Sequence, residues 1–194
     1  MDLIETSIVA DGDLPVVAFR EHLRLGTGFA DSTSGDALLR QYLRAALAAI
    51  EGRTGKALMA RSFRLVLRGW RWPDAQALPL APVSVVASVT LVDASGVPSV
   101  VDGDRWRLVP DRHRPQIVAA GAVLPMPPAG GRIEVAFTAG FGRWADLPDD
   151  LKQAVLLLAA QYYEGRTGGA DLPGTVAPLL ARWLPVRVTA GGHR

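Results

Sequence analysis

Residues 146–166, Asp-Leu-Pro-Asp-Asp-Leu-Lys-Gln-Ala-Val-Leu-Leu-Leu-Ala-Ala-Gln-Tyr-Tyr-Glu-Gly-Arg, constrain the fold more than any other stretch. Asp146 is placed to cap the first free N–H groups of a helix. Pro148 suits its first turn, and Asp149 and Asp150 put negative charge at the positive end of its dipole. Leu151, Ala154, Val155, Leu158, Ala159 and Tyr162 recur at helical period and form one continuous apolar face. Gly165 is the expected stop. The opposite side, which an ordinary surface helix keeps polar, carries Leu156, Leu157, Ala160 and Tyr163 among Lys152, Gln153 and Glu164. Two readings explain the excess. Either the helix is central and enclosed by its own domain, or Leu156, Leu157 and Tyr163 belong to a contact with a neighbouring subunit.

At 194 residues the chain suits one domain, or one domain with an inserted module, and a core of that size buries roughly 70% of the unfolded surface. The absence of cysteine removes disulfides and thiolate metal sites from consideration. No run approaches the roughly 18 uninterrupted apolar residues of a membrane span, and the start Met-Asp-Leu-Ile-Glu is acidic where a signal peptide is basic. The expectation is a soluble, unexported protein without a membrane partner. The net charge of +2 argues against a polybasic nucleic-acid binder. Lys56 and Lys152 are the only lysines; the preference for arginine fits bidentate contacts and GC-rich codon usage equally well.

Along the chain, Asp13, Leu14 and Pro15 start a short helix with Val16, Phe19 and Leu23 on one face. A turn-rich connection at 28–35 leads to a longer helix, capped by Ser34 or Asp36. Its stripe is Leu39, Tyr42, Leu43, Ala46, Leu47 and Ile50, and Gly52 and Gly55 end it. The period then changes to two. Phe63, Leu65 and Leu67 alternate with Arg64, Val66 and Arg68, and residues 83–92, 106–109, 116–119 and 132–137 are further strand candidates. The turn at 93–96, Asp-Ala-Ser-Gly, sends the chain back. Val176, Leu179, Leu180 and Trp183 form a last short helix stopped by Pro185. The fold class is α+β: a small helical bundle built from both ends of the chain, with an inserted β module. The divisions are 1–60 (N-terminal helical part), 61–139 (β module), 140–185 (completing helices) and 186–194 (extended tail). That tail, with Val186, Arg187, Val188, His193 and Arg194, is either a mobile end or a peptide that orders on a partner, Val186 and Val188 anchoring it.

No motif carries chemistry. His22, His113 and His193 lie far apart and lack helical ligand spacing. Residues 52–56, Gly-Arg-Thr-Gly-Lys, miss the first glycine and the Ser/Thr of a phosphate loop; residues 139–142 lack the third glycine of a dinucleotide fingerprint; no Gly-x-Ser-x-Gly occurs. Asp102, Asp104, Asp111, Asp149 and Asp150 sit where turns and a helix start favour aspartate. Neither an enzyme nor a cofactor is expected. Arg68, Trp70, Arg71 and Trp72, with Arg105, Trp106 and Arg107, interleave arginine and tryptophan. They are either strand ends whose rings cover the core, or a contact for a partner or nucleic acid.

The order of these elements resembles the head-to-tail connector, or adaptor, family of long-tailed bacteriophages and gene transfer agents. The residues that carry the resemblance are 14–24 (Leu-Pro-Val-Val-Ala-Phe-Arg-Glu-His-Leu-Arg), 51–58 (Glu-Gly-Arg-Thr-Gly-Lys-Ala-Leu), 78–83 with 89–96, 135–142 (Val-Ala-Phe-Thr-Ala-Gly-Phe-Gly), and above all 147–154 running on to 161–166. What the resemblance implies is a non-enzymatic dodecameric ring in the particle neck. It would be assembled in the host cytoplasm between the portal protein at the capsid vertex and the stopper or another neck or tail protein, with double-stranded DNA passing through. In such a ring each subunit has two different faces buried by neighbours, which accounts for the apolar surplus at Leu156, Leu157 and Tyr163. The resemblance also implies that residues 186–194 dock on the portal. The alternative from another class is a nucleic-acid-binding module using the Arg/Trp patch.

Overall fold

The computed structural model describes residues 1–25, 33–165 and 172–184, and of Thr33 and Ser34 the backbone only. The side chain of the predicted cap Ser34, most of the connection at 28–35, the stop Pro185 and the tail residues Val186, Arg187, Val188, His193 and Arg194 lie outside what is described.

The elements in order are β1 (Asp2–Glu5), α1 (Val16–His22), α2 (Thr33–Thr54), β2 (Arg61–Leu67), β3 (Ala75–Ala77), β4 (Val83–Val92), β5 (Pro98–Val100), β6 (Trp106–Val109), β7 (Gln116–Ala119), β8 (Arg132–Ala139), α3 (Asp149–Tyr163) and α4 (Ala177–Leu180). The class is α+β, with two antiparallel sheets of order β1-β2-β8-β4-β5 and β3-β7-β6.

The stripes of α2 and α3 bury as their spacing predicts except at Tyr42 and Tyr162, which are half-buried. Leu39, Leu43, Ala46, Leu47 and Ile50 of α2 meet Leu151, Ala154, Val155, Leu158 and Ala159 of α3, and Phe19, Val176, Leu180 and Trp183 close the same cluster. A second cluster belongs to the sheets: Phe63, Leu65 and Leu67 of β2 pack with Val83, Val86 and Val89 of β4, Ile117 of β7, and Ile133, Val135 and Phe137 of β8. The period of two in β2 leaves Arg64 exposed and Val66 half-buried between buried neighbours. Arg61 joins the two regions: its guanidinium makes bonds of 2.6 and 2.9 Å to Glu51 of α2 and of 2.8 Å to Glu5 of β1.

Several local expectations are corrected. Asp146 does not cap α3; it accepts the Arg143 N–H at 2.8 Å inside a 3₁₀ turn over Trp144–Asp146, and α3 begins three residues further on behind Pro148. Asp36 lies inside the first turn of α2, where it bonds Arg20 of α1. Gly52 stays helical and the chain leaves α2 at Gly55. β3 and β5, three residues each, are too short to show a period, and β1, four residues at the acidic start of the chain, was not expected as a strand. β1 exists because Leu3 pairs opposite Leu65, and β5 because Asp93 holds the predicted turn, accepting the N–H groups of Ser95 and Val97 at 2.9 Å each.

Candidate assembly surfaces

α3 positions the first set of candidate residues. Its core face is fully buried, and packing extends round the helix. Leu156, Leu157, Ala160 and Tyr162 are half-buried against the helical cluster, while Tyr163 is 39% exposed. The Tyr163 ring meets Tyr42 of α2 edge-on, with centroids 5.9 Å apart and planes at 84°, which fixes the ring at the surface. The apolar surplus read from the sequence is therefore largely absorbed by this chain at Leu156 and Leu157 and remains open at Tyr163. Nearby helices add Val17 of α1, 69% exposed, and Leu38 of α2, 44% exposed.

The Arg/Trp residues divide. Trp70 and Trp106 pack against the sheet cluster. The Trp70 indole N–H donates to the Pro125 carbonyl at 2.8 Å, whereas the buried Trp106 indole nitrogen has no hydrogen-bond partner among the described residues. In the β6–β7 register Trp106 and Leu108 share the face of Ile117, which sends Arg107 to the other face. Trp72 differs: it is 62% exposed, with the Arg71 guanidinium 6.0 Å from its ring centre. Arg68, Arg71, Arg105 and Arg107 are all exposed.

A third constellation escaped the sequence reading. Trp183, 2% exposed, donates its indole N–H to Asp150 at 2.8 Å and meets Phe141 edge-on at 5.4 Å. Arg182 and Arg112 lie 4.7 and 5.5 Å from its ring centre, and Arg182 also bonds Asp150 at 2.7 Å. Burial acts to raise the Asp150 pKa, but the hydrogen bonds from Arg182 and Trp183 outweigh it and hold the carboxyl below its usual value. Lys56, 1% exposed, grips the loop that carries Arg112: its ammonium donates to the Arg112 carbonyl at 2.5 Å and stands 3.2 Å from His113 Nδ1. Burial lowers the Lys56 pKa, with Asp111 opposing. Burial and the Lys56 charge together lower that of His113, again against Asp111. The β6–β7 loop is thus clamped between the end of α2 and the last described turn. The only sequence signal for it was the place of Trp183 at helical spacing with Val176, Leu179 and Leu180.

Among the described residues no group of three His, Cys, Asp or Glu is placed to hold a metal ion, and no helix is long and apolar enough to cross a membrane. No family model and no curated protein matches the sequence. Solved structures do. The chain is 59% identical to a chain in the neck of an empty gene transfer agent (GTA) particle computed with C6 symmetry, over 98% of this chain and 99% of that one, with a TM-score of 0.90. The chain belongs to the family of gene transfer agent neck proteins. This neck-family chain is also similar to one in the virion of a native GTA particle, at 59% identity and a TM-score of 0.88 over 98% and 99% of the two chains. Against the neck of a native GTA particle computed with C12 symmetry the values are 54% identity and 0.86, over the same shares.

Proposed function

We propose that the protein is a structural adaptor without enzymatic activity. It forms a ring, dodecameric as in the C12 neck, between the portal at the capsid vertex and the stopper or tail of a phage-like particle, and extends the DNA channel. The observation that carries the reading is 59% identity over nearly the whole length to a chain of a particle neck. Supporting it, Tyr163, Val17 and Leu38 leave apolar side chains open on the helices, as a subunit with two buried flanks requires. In this reading the helical parts (1–60 and 140–185) carry the contact between subunits, with Tyr163 in it and Leu156 and Leu157 supporting it from behind. The β module (61–139) is the unit inserted between them, and the tail (186–194) docks on the portal. Cofactors play no part.

The test is to mix the purified chain with portal-bearing capsids that lack their own adaptor and to sediment them. Capsid-bound chain in a fixed ratio, lost in a variant truncated after residue 185, is the expected result. A chain that stays in the supernatant overturns the reading. The nucleic-acid reading is weakened because, of the three tryptophans in the Arg/Trp patch, only Trp72 is open for stacking.

A further inference from the structure

We propose that the hollow between Ile8 and helix α2 receives Leu38 and Tyr163 of the adjacent copy of this chain, so that opposite flanks of α2 supply the two halves of the subunit contact. The hollow has a volume of about 120 Å³, and Val9, Leu47, Ala48 and Met59 form its apolar part. Leu47 and Met59 are buried, whereas Ile8 beside them is 77% exposed. Ile8 does not stand on a loose segment. The Thr6 N–H donates to the Ser62 carbonyl at 2.9 Å, and the Ser7 hydroxyl accepts the Ser62 N–H at 2.8 Å. On the other side Arg44 of α2 donates to the Val9 carbonyl at 2.8 Å and to Asp11 at 2.7 Å. An apolar hollow whose wall is already ordered takes up a side chain at a low entropic cost.

Position and charge select the occupant. In the proposed ring of twelve, each copy is turned by about 30° from the last, so the face that gives and the face that receives lie nearly opposite each other across a subunit. Tyr163 marks the giving face, and its edge contact with Tyr42 places that face on one flank of α2. Arg44 and Glu51 wall the hollow. They follow Tyr42 by two and nine residues, which at about 100° per residue puts both roughly half a turn round the helix from it. The charges of the hollow are matched inside the chain: Arg44 by Asp11, and Arg61 by Glu51 at 2.6 Å and by Glu5 at 2.8 Å. A charged side chain or a phosphate would lose its water there and gain no unpaired charge in return, so the hollow suits a neutral apolar guest. The giving flank is neutral: Leu38, Gln41 and Ala45 lie within about 100° of Tyr42 on α2, exposed and uncharged. Leu38 is 44% exposed and Tyr163 39%.

The proposal rests on the ring reading, and the experiment separates the two. The chain has no cysteine, so Ile8→Cys and Leu38→Cys, both at exposed positions, are introduced together and singly, and assembled particles are treated with a short bismaleimide. Expected from the double variant is a ladder of covalent multimers of this chain running beyond the dimer, and from either single variant none. A dimer from a single variant, the product of a two-fold contact, overturns the proposal. So does a link from a single variant to a different particle protein, or the lack of a ladder in particles that contain the double variant. Where particles take up the unmodified chain but not the double variant, a reconstruction of the neck with the unmodified chain decides instead. Tyr163 seated beside Ile8 of the next copy upholds the proposal, and any other neighbour overturns it. Particles that lack even the unmodified chain overturn the neck reading and this proposal with it.

Discussion

Trp183 is the residue on which most unlike contacts converge: an indole hydrogen bond, an aromatic edge and two guanidinium groups. Trp183→Ala should cost about 3–5 kcal/mol in denaturant unfolding, the range for emptying a large aromatic site. A loss below about 1 kcal/mol would mean that the clamp adds little. Its neighbour His113 gives a sign that can be checked. Because the folded protein holds the His113 pKa below 6.5, the unfolded chain binds more protons just beneath that value, so acidification through this window removes stability. NMR titration should place the His113 midpoint below 6.5, and Lys56→Met should raise it by removing a positive neighbour. Trp183 was legible as an apolar residue at helical spacing, and Asp150 as a charge at a helix start. Their bond was not, because nothing local joins two residues from different elements. A lysine 1% exposed is likewise invisible in a sequence, where Lys56 reads only as a residue after a helix stop.

At the scale of elements, α3 was the most legible part. Its core face follows from the 3.6-residue period alone, but periodicity cannot say how much of the other face a small domain covers for itself. Leu156 and Leu157 turned out half-buried on their own core, so they and Tyr163 answer different questions. Leu157→Asp should destabilise the monomer by at least about 2 kcal/mol, through the charge it forces against apolar neighbours. Tyr163→Asp should cost about 1 kcal/mol or less, the value of one edge-on ring contact, and yet abolish ring formation in sedimentation. Assembly untouched by Tyr163→Asp removes that residue from the interface. The β elements depend on turns as much as on period. At Gly140, with φ at 127°, a Cβ would come within 2.5 Å of the Ala60 backbone where β8 hands over to the helices. Gly140→Ala should therefore lower the thermal midpoint by several degrees, corresponding to more than about 1 kcal/mol. β1 and β5, short edges held by pairing partners, gave the sequence no period to show.

At the scale of the whole molecule, an apolar helical cluster and an apolar sheet cluster meet at Arg61 and at the Lys56–Trp183 clamp. Exposed apolar side chains stand on the helices (Val17, Leu38, Tyr163), on the β loops (Trp72, Val97, Val123, Met126) and on the N-terminal segment and sheet strands (Ile4, Ile8, Val85, Val100). The α+β class was readable because helical and strand periods occupy separate stretches. The Trp72 surface was only half readable, since the spacing of Arg and Trp could not tell the ring that projects from the two that pack. The most direct measurement is a cryo-EM reconstruction of the neck of particles built with this chain. The account predicts its density repeated around the channel axis, with Tyr163 covered by the adjacent subunit. A neck without this chain, or a ring in which Tyr163 faces solvent, would contradict it.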